Sequence, residues 1–240
     1  MTEPQVTVLI CTFNDEQTIA YALGSALAQT AAPSSFRILV VNDGSTDATP
    51  RVLEAFRERV EVVNLDRNHG LTAACNVGLE RIRTPWFVRL DADDRFEPEL
   101  VSALLRRRDG SDAELIATDR WEQIRTGGFR RFELDDPPRI GQLIAAGTLL
   151  PTGLVRRLGG YRDLFWEEFD LYMRLLDGGR RKAARVPQPL YVYRVERPDQ
   201  MTADTDAVRA GWRQLRELWP HDVLSSHALV GAEEVPDFVA

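Results

Sequence analysis

Cysteine is scarce in this 240-residue chain: Cys11 and Cys75 are the only two. Both sit in apolar stretches, so neither a disulfide framework nor a cysteine zinc site is encoded. A cytoplasmic, reducing setting is expected. Histidine is almost as sparse, and His69, His221 and His227 form no ligand cluster of their own. No run of about 18 apolar residues occurs, so no membrane-spanning helix is expected. Met1-Thr2-Glu3-Pro4 leads straight into an apolar run, with no basic region or signal-like core ahead of it. Positive charge is not in excess: 30 Lys and Arg stand against 37 Asp and Glu, a formal net charge of −7. That balance argues against a nucleic-acid partner bound by bulk charge. Internal repeats and low-complexity linkers are also missing. What remains is 44% hydrophobic and 28% charged, an ordinary globular composition, and a length that suits one large α/β domain or two small ones.

The stretch that organises the rest is Phe87-Val88-Arg89-Leu90-Asp91-Ala92-Asp93-Asp94. An apolar run of this kind reads as a buried strand. It ends in three carboxylates within four positions. Such a group repels itself unless something positive sits between its members. Hard divalent cations are held by oxygen clusters of this sort, usually with phosphate oxygens. The alternative is a solvated acidic loop whose Asp side chains cap the next helix, expected near Glu97-Pro98.

Upstream, the pattern is regular. Val6 to Cys11 reads as a buried strand. Asn14 or Asp15 can cap a helix with Ile19, Leu23 and Leu27 on its inner face. Phe36 to Val41 is a second strand, closed by the turn cluster Asn42-Asp43-Gly44-Ser45-Thr46-Asp47. A helix through Val52, Leu53, Phe56 and Val60 follows. Val60 to Val63 is a third strand. The loop Leu65 to Gly70 leads into a helix through Leu71, Ala74, Val77 and Leu79. Strand and helix in alternation, with short connections, predict βαβ units and a mainly parallel sheet. Ligands of such sheets bind beyond the carboxyl ends of the strands. The polar clusters 12–15, 43–47, 64–70 and 91–94 all fall there.

Downstream, the regularity breaks. Glu99 to Arg108 reads as a helix with a basic, solvated end. Ala113 to Thr118 reads as a strand, and Trp121 to Leu134, with Gly127-Gly128 inside it, as a hairpin or flap. A short helix is expected from Pro137-Pro138 to Ala146. Another runs from Glu168 to Leu176 and is stopped by Gly178-Gly179. Val186 to Val195 is extended, Ala203 to Trp219 is an amphipathic helix, and the tail from His221 has no clear period. Trp121, Phe129, Phe165 and Trp166 are core residues or stacking platforms. The expected organisation is a first half over 1–120, a second half over 121–220, and a tail over 221–240.

Four segments carry a resemblance. Val6 to Asn14, Val41 to Asp47, Asn68 to Leu79 and Asp91-Ala92-Asp93-Asp94 occur in order, each at a predicted strand end. Together they resemble the family 2 glycosyltransferases of GT-A fold. The likeness continues through Gly153, Glu167-Glu168-Phe169-Asp170-Leu171 and Tyr193-Arg194, and covers about Val6 to Thr202.

The resemblance implies an α/β GT-A fold and an inverting transfer of sugar from a nucleoside diphosphate donor, a UDP-sugar in the first instance, to a sugar, lipid-linked or small-molecule acceptor. It gives Asp43 to the base, and Thr12, Phe13 and Asp15 to the base pocket. Asn68 and Gly70 pass near the nucleotide. Asp91 and Ala92 lie against the donor. Asp91, Asp93, Asp94 and Glu196 are the candidate ligands of Mn²⁺ or Mg²⁺. Arg194 is a diphosphate contact or a surface ion pair. Glu168 is the expected general base, and Asp170 the second candidate.

Asp43, Asn68 and Gly70 each keep a simpler alternative as turn residues. Processive relatives carry membrane spans and a Gln-x-x-Arg-Trp element, and this chain has neither. A cytoplasmic location is implied, with peripheral attachment at the inner membrane face open. Three positions depart from the family pattern: Cys75 stands where Arg or Lys is usual, Glu167-Glu168 replaces Glu-Asp, and Glu196, followed by Arg197, replaces a metal-binding His. Carboxylate oxygen suits Mg²⁺ or Mn²⁺ as well as imidazole does. Two other readings stand beside the enzyme. One is a degenerate sugar-nucleotide-binding module. The other is a nucleotidyltransferase, which would want a Gly-rich basic loop where Thr12 to Glu16 offers none.

Overall fold

The computed structural model describes residues 3–124, 127–176, 179–195, 204–227 and 229. Strand β1 (Val6–Thr12) pairs in parallel with β2 (Phe36–Asn42), which pairs in parallel with β3 (Glu61–Asn64). Strand β4 (Trp86–Arg89) flanks β1 on its other side, again in parallel. Helices α1 (Ile19–Leu27), α2 (Thr49–Glu54) and α3 (Leu71–Arg81) make the crossovers. β5 (Arg95–Phe96) and α4 (Leu100–Asp109) follow the acidic turn.

Period-two alternation explains why helices cover both faces. Val8, Ile10, Val40 and Val88 point to one face and pack with Ile19, Leu23, Leu100 and Leu104 of α1 and α4. Leu9, Leu39, Val41 and Phe87 point to the other and pack with Ala74, Cys75 and Leu79 of α3.

The second half extends the same sheet with mixed polarity. Its strands are β6 (Leu115–Gln123), β7 (Phe129–Phe132), β8 (Thr148–Pro151) and β9 (Ala183–Arg194). β8 inserts antiparallel between β4 and β6, β9 runs parallel to β6, and β5 closes the far edge against β9. The expected parallel pairing therefore holds across β1 to β4 and again between β6 and β9, with antiparallel β8 between the two groups. β7 returns antiparallel to β6, which makes the expected hairpin.

Helices α5 (Thr152–Arg157), α6 (Glu167–Leu176) and α7 (Thr205–Leu218) lie on the α3 side, where Val155, Phe169, Leu175, Trp212 and Leu215 complete one core. α7 is capped by Asp204, whose Oδ1 accepts from the amides of Asp206 and Ala207. The tail carries a short α8 (His221–Ser226) that sequence pattern missed, and its Leu224 is buried.

Several local expectations change. α1 begins at Ile19, not after Asn14 or Asp15; its first amides are met by the backbone carbonyl of Asp15. α4 begins at Leu100, behind Glu97, and none of the three Asp side chains caps it. The helix expected over 137–146 shrinks to a single turn at Ile140–Gln142, where Gln142 Oε1 draws in the amides of Asp135 and Arg139. Trp166 is core, stacked against Phe169, whereas Phe129 is half exposed with Arg95 over its ring. The expected stop at Gly178, the ligand Glu196 and its neighbour Arg197 lie outside the described residues.

Candidate active site

The carboxyl ends of β1 and β2 form one bonded rim. Thr12, 3% exposed, donates its hydroxyl to Asp15 Oδ2 at 2.8 Å, and the same oxygen accepts the Phe13 amide at 3.1 Å. Asn14 adopts φ 57° and reaches across to the next loop: its Oδ1 accepts the Thr46 amide at 2.8 Å, and its own amide donates to Ser45 Oγ. Asp15 N donates to Thr49 Oγ1, Glu16 N to Asp47 Oδ2, and Ala48 N to Glu16 Oε2. Asp47 Oδ1 accepts the Thr49 amide at the start of α2. Burial works to raise the Asp47 pKa, and the hydrogen bonds it accepts from Thr49 and Glu16, with its own amide, together outweigh that and lower it.

Asp43 ties in the loop after β3. It is 3% exposed, and its Oδ1 and Oδ2 accept the amides of His69 (2.9 Å) and Gly70 (2.8 Å). Gly70 has φ +91° and Gly44 has φ +68°, a region that disfavours side chains. A Cβ on Gly44 would also lie 2.3 Å from the Arg67 backbone, so the two loops touch only because that Cβ is absent. Asn68 Oδ1 accepts the Gly70 amide, which is turn chemistry.

The acidic cluster does not point one way. Ala92 is buried at 5% exposure, and Asp94 turns inward at 3%. Asp94 Oδ2 accepts from the Tyr191 hydroxyl at 2.6 Å and its Oδ1 from the Arg194 amide at 2.8 Å, which locks the turn to β9. Burial, then the charge of Asp91, pushes the Asp94 carboxyl well above its ordinary pKa. Asp91 and Asp93 are partly exposed. No group of three or more His, Cys, Asp or Glu gathers as a metal site among the described residues. Two partly exposed carboxylates nevertheless fit an ion that takes its other ligands from phosphate and water, the usual manner for Mg²⁺.

Across the rim, α6 brings three acids with three fates. Glu167 is buried and accepts from Arg89 at 3.1 Å. Asp170 has no exposure: Oδ1 accepts from Arg162 and from Trp219 Nε1, and Oδ2 from Arg174 Nε. Glu168 is half-buried and makes no ion pair among the described residues. Burial first, and then the charge of Glu167, raises its carboxyl well above the ordinary range. A carboxyl held in this way is a candidate proton acceptor. Cys11 and Cys75 are free thiols with sulfurs 3.5 Å apart; the hydrogen bond between them and burial raise the Cys11 pKa.

The model of the family described as "Glycosyl transferase family 2" matches residues 7–153, well over half of the sequence. The chain belongs to that family. Among relatives, it is 35% identical over 143 residues to the succinoglycan biosynthesis protein ExoO of Rhizobium meliloti (58% of this chain, 40% of that protein). It is 31% identical over 202 residues to ExoU of the same organism (73% of this chain, 58% of that protein). The chain thus spans roughly half the length of these relatives. The fold is GT-A: it superposes on S. aureus TarS 1-349 in complex with UDP-GlcNAc with a TM-score of 0.73 at 17% identity, covering 88% of this chain and 66% of that one. It superposes on the mannosyltransferase PcManGT of Pyrobaculum calidifontis, solved with GDP-Man and Mn²⁺, with a TM-score of 0.72 at 16% identity, covering 95% and 68%. No helix among the described residues is long and apolar enough to cross a membrane.

The sequence motifs thus meet at one rim. Three participants were passed over: Arg89, Glu167 as its partner, and Tyr191. Arg89 did leave a signal, a charge inside an otherwise apolar strand run.

Proposed function

We propose that this family 2 glycosyltransferase moves a sugar with inversion from a nucleoside diphosphate donor, UDP-sugar first, to an acceptor hydroxyl. The observation that carries the reading is the separation of roles across the rim. Asp91 and Asp93 stay partly exposed beyond the end of β4, while Glu168 stands on α6 with a raised pKa. The TarS structure with UDP-GlcNAc supports a uridine donor, and the PcManGT structure with GDP-Man and Mn²⁺ supports a divalent ion.

In this reading Thr12, Phe13 and Asp15 wall the base pocket. Asp43 spends one lone pair of each oxygen on the loop amides and has another left to face the base. Asn68 and Gly70 hold the backbone that passes the nucleotide, and Arg194 lies beside the diphosphate. Asp91 and Asp93 would hold Mg²⁺ or Mn²⁺. When bound, the ion neutralises charge growing on the leaving diphosphate. Asp94 and Asp170 serve as anchors, because their oxygens are already taken. Glu168 accepts the acceptor's proton, a step that needs a carboxylate outside the metal cluster. A cytoplasmic location, where such donors are found, goes with the reading.

The test is a thermal-shift screen of UDP and GDP, each with Mn²⁺ or EDTA. UDP with Mn²⁺ is expected to give the largest rise, and Asp93→Ala to erase the difference between Mn²⁺ and EDTA. Equal stabilisation by UDP in EDTA removes the metal from the reading. A larger rise with GDP changes the donor. Binding without turnover over an acceptor panel leaves a sugar-nucleotide-binding module.

A further inference from the structure

Arg89 occupies an unusual place. It is the last residue of β4, the strand at the middle of the sheet, and its side chain is 3% exposed. By alternation it shares a face with Phe87 and projects toward α3 and α6. A guanidinium taken out of water costs several kcal/mol unless its donors are matched. Here one amino group donates to Asp91 Oδ1 at 3.2 Å and the other to Glu167 Oε1 at 3.1 Å. The ring of Tyr161 covers it, with a centroid distance of 5.5 Å. The two acids belong to different machinery. Asp91 ends the donor-side strand, and Glu167 immediately precedes Glu168 on α6. One buried cation therefore spans the two sides of the reaction.

We propose that Arg89 is a positioning residue for glycosyl transfer, a buried clamp that fixes Asp91 and, through Glu167, the start of the helix carrying Glu168. The inference rests on the proposed sugar transfer and adds the residue that sets the spacing between donor and base. Lysine cannot do the same work, because one ammonium lacks the planar fork that reaches both carboxylates.

The test combines kinetics, nucleotide binding and melting. Arg89→Met is expected to lower kcat about 100-fold, the scale of a misplacement near 1 Å, and to weaken UDP binding in Mn²⁺ by about tenfold. Glu167→Gln is expected to lower kcat and leave UDP binding unchanged, because it cuts only the base-side arm. Arg89→Lys should recover part of the lost kcat. Arg89→Met alone leaves two acids unpaired and can fail to fold, so Arg89→Met with Glu167→Gln is the balanced variant. Its melting temperature should recover while its kcat stays low. Recovery of both would make Arg89 a stability residue only and overturn the clamp. Without nucleotide, the melting temperatures of the two single variants and the double form a cycle. Non-additivity is expected, and additivity overturns the clamp even if the wild type transfers sugar. A wild type that transfers from no donor, with a non-additive cycle, sinks the transferase reading and with it the role in transfer, and leaves only the structural link between Arg89 and Glu167.

Discussion

The acids of the donor half and those of the α6 half are held by different donors. In the donor half, Asp15, Glu16, Asp43 and Asp47 accept backbone amides. In the second half, Asp119 is gripped by Arg185 and Arg131, Glu122 by Arg120 and Arg130, and Asp170 by Arg162 and Arg174. Amide-bound carboxylates shape loops, because each fixes the backbone that donates to it. Arginine-bound carboxylates instead tie side chain to side chain: Asp119 fastens β6 to β7 and β9, and Asp170 fastens α6 to the loop before it. Glu168 falls in neither class, and Arg89 links the two territories. A donor pocket wants sculpted loops, and a catalytic helix wants a fixed distance from them.

The largest effect should come from the acid outside both classes. Glu168→Gln keeps the shape and removes the basicity. It is expected to cut kcat by roughly 10²–10⁴-fold with UDP binding intact, measured in steady-state kinetics and by calorimetry. Normal turnover together with a dead Asp170→Asn would hand the base to Asp170.

Next comes the arginine-held class. Asp170→Ala leaves Arg174, 8% exposed on its side chain, without its carboxylate. A loss of about 3–5 kcal/mol is expected in urea denaturation. A loss below that of Asp43→Ala would erase the distinction drawn here. Asp43→Ala represents the amide-held class and strands two amides. It should weaken UDP binding by about 1–3 kcal/mol and leave the melting temperature less affected than Asp170→Ala does.

The smallest effect is a shift along the pH axis. Glu168 must be ionised to accept a proton, and burial with the charge of Glu167 holds its pKa above the ordinary value. Activity is therefore full above that raised pKa and falls as pH drops through it, at higher pH than an exposed glutamate would give. Glu167→Gln removes the repelling charge and should move this acidic limb of kcat to lower pH. A limb that stays fixed, or moves up, means that another group sets it.

Much of this was legible from residues alone. The parallel half declares itself through β-branched runs such as Val6 to Cys11 and through polar ends that fall on one rim. α6 was readable from its period, whereas Glu168 as the base candidate came from the family resemblance and is a proposal. The antiparallel insertion of β8 was not, because four residues inside a Gly-rich stretch carry no pairing signal. Nor was the inward turn of Asp94, which depends on Tyr191, 97 residues away. Side chains of one type on successive positions read alike in sequence. Asp91 and Asp93 differ from Asp94 only by which way the turn faces them. Asp170 looked like a spare base until Arg162, Arg174 and Trp219 closed on it.

The stitching between the loops after β1 and β2 bears on how donor preference can be re-engineered. Asn14 holds Thr46, Glu16 holds Ala48, and Ser45 and Asp47 hold the amides of Asn14 and Glu16. Neither loop is a free cassette. A segment grafted from a relative into one loop arrives without the acceptors and donors that its new neighbour expects. Residues 12–16 and 43–49 therefore form one unit of exchange: transplanted together they carry their own scaffold, and transplanted singly they leave loop amides and side-chain acceptors without their partners.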